Sequence, residues 1–233
     1  MAEKIIGILG GLGPEATVDL FHRIIRATPA EKDQDHLRII IYNNPKIPDR
    51  TAAILGYGEN PLPELIRTAK VLERAGADFI IIPCNTAHYF YDELRKHVNI
   101  PILHMIDLCA EWVRRNFPNI RRAGLLATIG TVKSGIYHKS FKGIGVEIIT
   151  PEENSQNHVM KAIYEHVKAG DLEGGRKILL RIAGELMDMN CDVIICGCTE
   201  VSLVIKNGDL PVPVIDPLQI LAENAVKKAL NEM

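Results

Sequence analysis

The chain has 233 residues, 47% of them hydrophobic, enough to bury a sizeable core as one large domain or two of ordinary size. Its 27 basic and 29 acidic residues leave a formal net charge of -2, which argues against a general nucleic-acid surface and keeps a small anionic ligand open. No apolar run approaches the roughly 20 residues that span a bilayer, and Met1-Ala2-Glu3-Lys4 leads directly into strand-like sequence, so a soluble cytoplasmic protein with no membrane partner is expected.

Runs rich in Ile, Val and Leu predict strands over 4–9, 38–42, 79–82, 122–127, 146–149 and 192–196. Apolar residues at helical spacing predict helices over 15–26, 63–74, 87–97, 154–168 and 172–189, with a closing helix over 218–230. Alternation of this kind is the pattern of an α/β fold, and nearly continuous apolar strands imply a parallel sheet covered on both faces.

The first strand runs into Gly10-Gly11-Leu12-Gly13-Pro14, with Pro14 suited to the first position of a helix. Exposed amides at such a turn favour an anion, so the loop with Leu12 reads as a carboxylate site, set against a purely structural tight turn. Gly11-x-Gly13-x-x-Ala16 also meets the relaxed dinucleotide fingerprint of a nicotinamide oxidoreductase. The next strand, however, ends in Tyr42-Asn43-Asn44, without the carboxylate that would bind ribose. Arg50 follows in a loop, Ile47-Pro48-Asp49-Arg50-Thr51, where its planar fork could grip a carboxylate or simply pair with Asp49.

Cys84, in Pro83-Cys84-Asn85-Thr86, stands at the end of the third strand, and Cys198, in Gly197-Cys198-Thr199-Glu200, at the end of the last. Open α/β sheets place their chemistry at such strand ends. A position before a helix predicts a thiol pKa below the free value of about 8.5. Asn85, Thr86, Thr199 and Glu200 are read both as helix caps and as substrate contacts, and Thr128-Ile129-Gly130-Thr131 offers similar hydroxyl and amide donors after the fourth strand. His88 would pair with Cys84 if both were helical; since Cys84 precedes the helix, His88 reads as an ordinary helix-surface residue, with support of Cys84 as the alternative. Lys168 reads as a point charge for a carboxylate or as a cation complementing a helix C-terminus. The remaining cysteines, Cys109, Cys191 and Cys196, belong to an odd total of 5, read as free thiols. Cys196-x-Cys198 lacks the CxxC zinc spacing, so no metal site is expected, and Cys109 and Cys191 read as small buried hydrophobes.

The two halves repeat. Gly7-Ile8-Leu9-Gly10 resembles Gly124-Leu125-Leu126-Ala127, the segment 77–84 resembles 191–198, and Ile106-Asp107 resembles Ile215-Asp216, in the same order. The expected organisation is two pseudo-symmetric parallel-sheet α/β domains, 1–116 and 117–233, with the active-site cleft between them and the final helix able to cross back onto the first half.

Together, Gly10-Gly11-Leu12-Gly13-Pro14, Pro83-Cys84-Asn85-Thr86-Ala87-His88 and Gly197-Cys198-Thr199-Glu200 resemble the aspartate/glutamate racemase family along nearly the whole chain. Asn43-Asn44-Pro45 and Ile47-Pro48-Asp49-Arg50-Thr51 resemble its aspartate racemase branch. The resemblance implies an enzyme without a cofactor, a homodimer, that interconverts L- and D-amino acids. On matching positions it makes Cys84 and Cys198 the paired proton donor and acceptor. Arg50 and Lys168 would hold the substrate carboxylates, and Asn85, Thr86, Thr128, Thr131 and Thr199 would add polar contacts. The nearer competitors are a glutamate, broad-specificity or hydantoin racemase or a related decarboxylase or isomerase; a non-catalytic amino-acid sensor is the alternative from another class.

Overall fold

The computed structural model describes residues 3–232; the Met1-Ala2 part of the start lies outside them. In chain order the elements are β1 (Ile6–Gly10), α1 (Pro14–Ala27), β2 (Ile39–Asn43), α2 (Arg50–Ile54), α3 (Leu62–Arg74), β3 (Phe79–Ile81), α4 (Tyr91–Leu94), α5 (Met105–Asn116) and β4 (Arg122–Leu126). They continue with α6 (Ile129–Ser134), α7 (Ile136–Lys142), β5 (Glu147–Ile149), α8 (Glu153–Lys161), α9 (Leu172–Asp188), β6 (Val193–Cys196), α10 (Thr199–Val204), β7 (Val214–Ile215) and α11 (Pro217–Ala229). No helix among the described residues is long and apolar enough to cross a membrane.

The chain forms two compact units, divided after Leu108 and again after Pro217, so that α11 belongs to the first unit. In the first, β2-β1-β3 form a parallel sheet in which Gly10 pairs with Asn43 and Ile8 with Ile81. Alternate residues of its strands face opposite ways, as the period of two requires. Ile6, Ile8, Phe79 and Ile81 pack with Leu20 and Ile24 of α1 and with Leu218, Leu221 and Ala225 of α11. On the other face Leu9 and Ile80 pack with Leu65, Ala69 and Leu72 of α3. Both faces being covered explains why β1 and β3 read as unbroken apolar runs; β2, at the edge of the sheet, is apolar but partly exposed, so the expected coverage does not extend to it.

The second unit repeats the plan. Its parallel sheet has the order β5-β4-β6-β7, and Leu126, Ile194 and Cys196 pack against Val159, Ile163, Leu179, Ile182 and Leu186. Equivalent aspartates even fasten equivalent strands: Asp78 Oδ2 accepts the Ile5 amide at 2.6 Å, and Asp192 Oδ2 accepts the Arg121 and Arg122 amides at 2.7 and 2.9 Å. The two-residue β7 pairs Ile194 with Val214, and its counterpart in the first unit is a single parallel bridge of Ile80 with Ile102. That pairing corrects the third sequence match. His104, which precedes α5, is the equivalent of Asp216, which precedes α11; Ile106-Asp107 instead lies inside α5. A short apolar-acidic pair recurs too easily to fix register.

Two predicted helices break up. Over 87–97 the chain forms a 3-10 turn at Thr86–Phe90, the short α4, and another 3-10 turn at Arg95–His97. The helix expected over 154–168 passes from α8 into a π-helical turn at Ala162–His166 and a 3-10 turn at Val167–Ala169. Periodicity marks a buried face, and chained tight turns can present the same face as a continuous α-helix.

Candidate active site

In the first unit the expected residues follow the C-terminal ends of adjacent parallel strands. Gly11 leaves β1 at φ +94, and a Cβ there would lie 2.3 Å from the Asn44 carbonyl carbon, so only glycine fits this turn. The Gly11 amide donates to Thr17 Oγ1 at 2.9 Å, which spends it inside the protein. Leu12 is buried and shares an apolar cluster with Ile47 and Cys84. Its carbonyl accepts from Arg50 Nη2 at 3.2 Å, while Arg50 Nη1 reaches the carbonyls of Pro48 at 3.1 Å and Ile47 at 3.4 Å. Arg50 is therefore a half-buried group at the start of α2 and not a loop residue as the sequence suggests; Asp49 caps that helix by accepting the Ala52 amide at 2.7 Å. The helix packs against the turn Thr86–Phe90, which follows Cys84 and Asn85. Cys84, Asn85 and Thr86 are all buried, and Asn85 makes no side-chain cap.

His88 departs most from expectation. It is only 2% exposed, where the sequence suggests a surface residue. Its Nε2 accepts the Met105 amide at 3.1 Å, so Nδ1 carries the proton and donates to the Cys84 carbonyl at 2.8 Å. Burial, reinforced by neighbouring His104, lowers its pKa to about 3 and keeps the ring neutral. Both ring nitrogens are spent on backbone groups, so His88 fixes the turn after Cys84 and is not the base of a Cys–His pair.

In the second unit Thr128 and Cys198 follow the ends of β4 and β6, which pair through Leu126 and Cys196. Thr128 caps α6: its Oγ1 accepts the Thr131 amide at 3.3 Å and lies 3.2 Å from the Thr131 hydroxyl. Cys198 is the N-cap of α10, with Thr199 and Glu200 in the first turn. Its Sγ donates to Glu200 Oε2 at 2.9 Å, and Thr199 Oγ1 donates to the same oxygen at 3.3 Å. Lys168 Nζ stands 3.7 Å from Glu200 Oε1 and 4.4 Å from the centre of the Tyr164 ring, a cation over an aromatic face. The predicted lowering of the thiol pKa is reversed at Cys198, where burial and then the adjacent Glu200 carboxylate push it well above the ordinary value. A six-residue helix has little dipole to set against these effects.

A family model described as Asp/Glu/Hydantoin racemase matches residues 9–225. The chain belongs to this family. Membership places it among the racemases, an isomerase class. The chain is 36% identical to the Picrophilus torridus aspartate racemase, with 97% of this chain and 94% of that one covered and a TM-score of 0.87. An aspartate racemase homologue from Pyrococcus horikoshii is 30% identical, covering 97% and 99% of the two chains at a TM-score of 0.78. The broad-specificity amino-acid racemase RacX of Bacillus subtilis is 28% identical over 97% of this chain and 98% of its own.

Two residues of this family member escape a reading of the sequence. Tyr164 lies in the π-helical turn, which brings it beneath Lys168. Gln156 of α8 is buried; its Nε2 donates to the Ala127 carbonyl beside Thr128 at 2.9 Å, and its Oε1 has no hydrogen-bond partner among the described residues. Nothing in their spacing marks either. Among the described residues no group of three or more His, Cys, Asp or Glu side chains could hold a metal ion.

Proposed function

We propose that this chain is a cofactor-independent amino-acid racemase whose preferred substrate is aspartate and whose two acid-base groups are Cys84 and Cys198. The observation that carries the reading is the repetition itself. Each half sets a buried cysteine just beyond the C-terminal end of the parallel strand that pairs with the first strand of its sheet, followed by a short turn of polar residues.

In this mechanism one sulfur, as thiolate, takes the α-proton, the electron pair stays on the α-carbon, and the other sulfur, as thiol, returns a proton to the opposite face. Reversal exchanges the two roles. The planar carbanion needs stabilisation by oriented donors and cations, because no conjugated electron sink takes part. Arg50 and Lys168 are the cations suited to a substrate with two carboxylates, Arg50 being held by three backbone carbonyls and Lys168 by Glu200 and Tyr164. Asn85, Thr86, Thr128, Thr131 and Thr199 supply polar contacts, and the working assembly is a homodimer in the cytoplasm.

Similarity to the Picrophilus aspartate racemase supports aspartate, and similarity to RacX supports the second reading, a broad-specificity racemase. A chiral screen of amino acids without added cofactor separates them. Aspartate inverted far faster than glutamate or alanine supports the first reading; comparable rates on several amino acids support the second; no inversion of any rejects both.

A further inference from the structure

The two cysteine turns differ in one charged side chain. Counting from each cysteine, Thr86 of the first half and Glu200 of the second hold the same position. Glu200 is only 7% exposed and is turned towards the sulfur. A carboxylate oxygen accepts and does not donate, so the 2.9 Å contact between Cys198 Sγ and Oε2 requires the proton on sulfur. The Thr199 hydroxyl donates to the same oxygen, while Lys168 stands at the other. This arrangement depends on the π-helical and 3-10 turns, since α10 packs against Val167–Ala169.

We propose that Glu200 holds the proton on Cys198, so that the resting enzyme presents Cys198 as the acid and leaves Cys84 to act as the base. The inference rests on the two-cysteine racemase reading and deepens it by giving the two thiols unequal resting states. Glu200 acts through Cys198 and is a positioning residue, not the substrate contact suggested by the sequence. Among the described residues, the charged and titratable groups that bear on Cys198 are Glu200 from α10, Lys168 from the 3-10 turn and Tyr137 from α7. Burial and Glu200 raise the thiol pKa; Lys168 offsets part of this.

The consequence is directional. With the enantiomer whose α-hydrogen faces Cys84, the C–H bond breaks, its proton bonds to the Cys84 sulfur and its electron pair remains on carbon. The Cys198 S–H bond then breaks, its proton bonds to that carbon, and its electron pair remains on sulfur. The product form carries a Cys198 thiolate beside the Glu200 carboxylate, a like-charge pair that favours return of a proton to Cys198 from water while Cys84 releases one.

Site-resolved alkylation tests this on the full chain, with iodoacetamide as the probe and the Cys198 peptide followed by mass spectrometry from pH 6 to pH 11. Wild type should titrate above the free-cysteine value of about 8.5. Glu200→Gln should lower the Cys198 midpoint by about one unit or more, roughly a tenfold faster modification at pH 8, without altering Cys109. Lys168→Met should move the Cys198 midpoint the other way and keeps the proposal testable if Glu200→Gln fails to fold. An unmoved or raised midpoint in folded Glu200→Gln, or an unmoved or lowered one in Lys168→Met, overturns the proposal. Aspartate racemisation by the same wild-type sample is scored separately. An inactive wild type whose midpoint falls in Glu200→Gln overturns the racemase reading and leaves the proton-holding contact standing; an active wild type with an unmoved midpoint does the reverse.

Discussion

In the first half of the repeat, the His88 ring joins the Cys84 carbonyl to the Met105 amide at the start of α5; in the second, the residue equally distant from its cysteine is Ser202, whose hydroxyl donates to Asp216 Oδ1 at 2.8 Å just before α11. Each brace ties the turn after a cysteine to the segment that opens the next long helix. One is a neutral ring shielded from protonation, the other a charge-assisted hydrogen bond. The two halves share the position of the brace and not its chemistry, just as they share the cysteines while one carries Thr86 where the other carries Glu200. Equivalent backbone placement therefore does not imply equivalent protonation.

Acid should expose the difference most strongly. The folded pKa of His88 is about 3, below its unfolded value of 6.5, so the unfolded chain takes up the proton first as pH falls. The stabilisation is fully present above about pH 6.5 and is lost progressively towards about pH 3. Its upper bound is on the order of 5 kcal/mol. Denaturant unfolding at a series of pH values should give a shallower loss in His88→Gln than in wild type across that window; parallel losses would show that the first brace is not proton-sensitive. Leu221→Ala comes next. It opens a cavity where α11 packs on the first sheet and should cost about 2–5 kcal/mol in the same unfolding measurement, whereas a loss under ~1 kcal/mol would mean that α11 contributes little to that core.

The cations should differ in kind. Arg50 is anchored to backbone, so Arg50→Ala should weaken aspartate about 10- to 100-fold, the loss of a charge-assisted bond, while leaving alanine nearly unchanged in steady-state kinetics. Equal losses on both substrates would remove its side-chain role. The smallest effect concerns helix entry: α6 is capped by the Thr128 hydroxyl, whereas α1 begins at Gly13 with no side-chain cap. Thr128→Val should cost about 1 kcal/mol in thermal unfolding, and no change would mean that the cap is dispensable.

The α/β pattern and the placement of both cysteines at strand ends were legible because buried parallel strands are continuous apolar runs and the turns after them carry Gly, Pro and small polar residues. The two-residue β7 was too short to leave such a run. The burial of His88 is not legible in the sequence because its partners are backbone groups, one of them 17 residues away, and spacing carries no record of backbone partners. The Cys198–Glu200–Lys168 arrangement was hidden for a different reason. A π-helical turn departs from the helical period that sequence patterns assume, and that departure decides where Tyr164 and Lys168 fall relative to Cys198.

The central claim, that two sulfurs divide the work of removing and returning one proton, is tested most directly by following L- and D-aspartate in deuterium oxide with wild type, Cys84→Ala and Cys198→Ala. Wild type should invert both enantiomers with deuterium entering at the α-carbon. Each variant should lose inversion by about a thousandfold or more and retain exchange with one enantiomer only, the opposite one in each case. Inversion near the wild-type rate by either single variant would contradict the account.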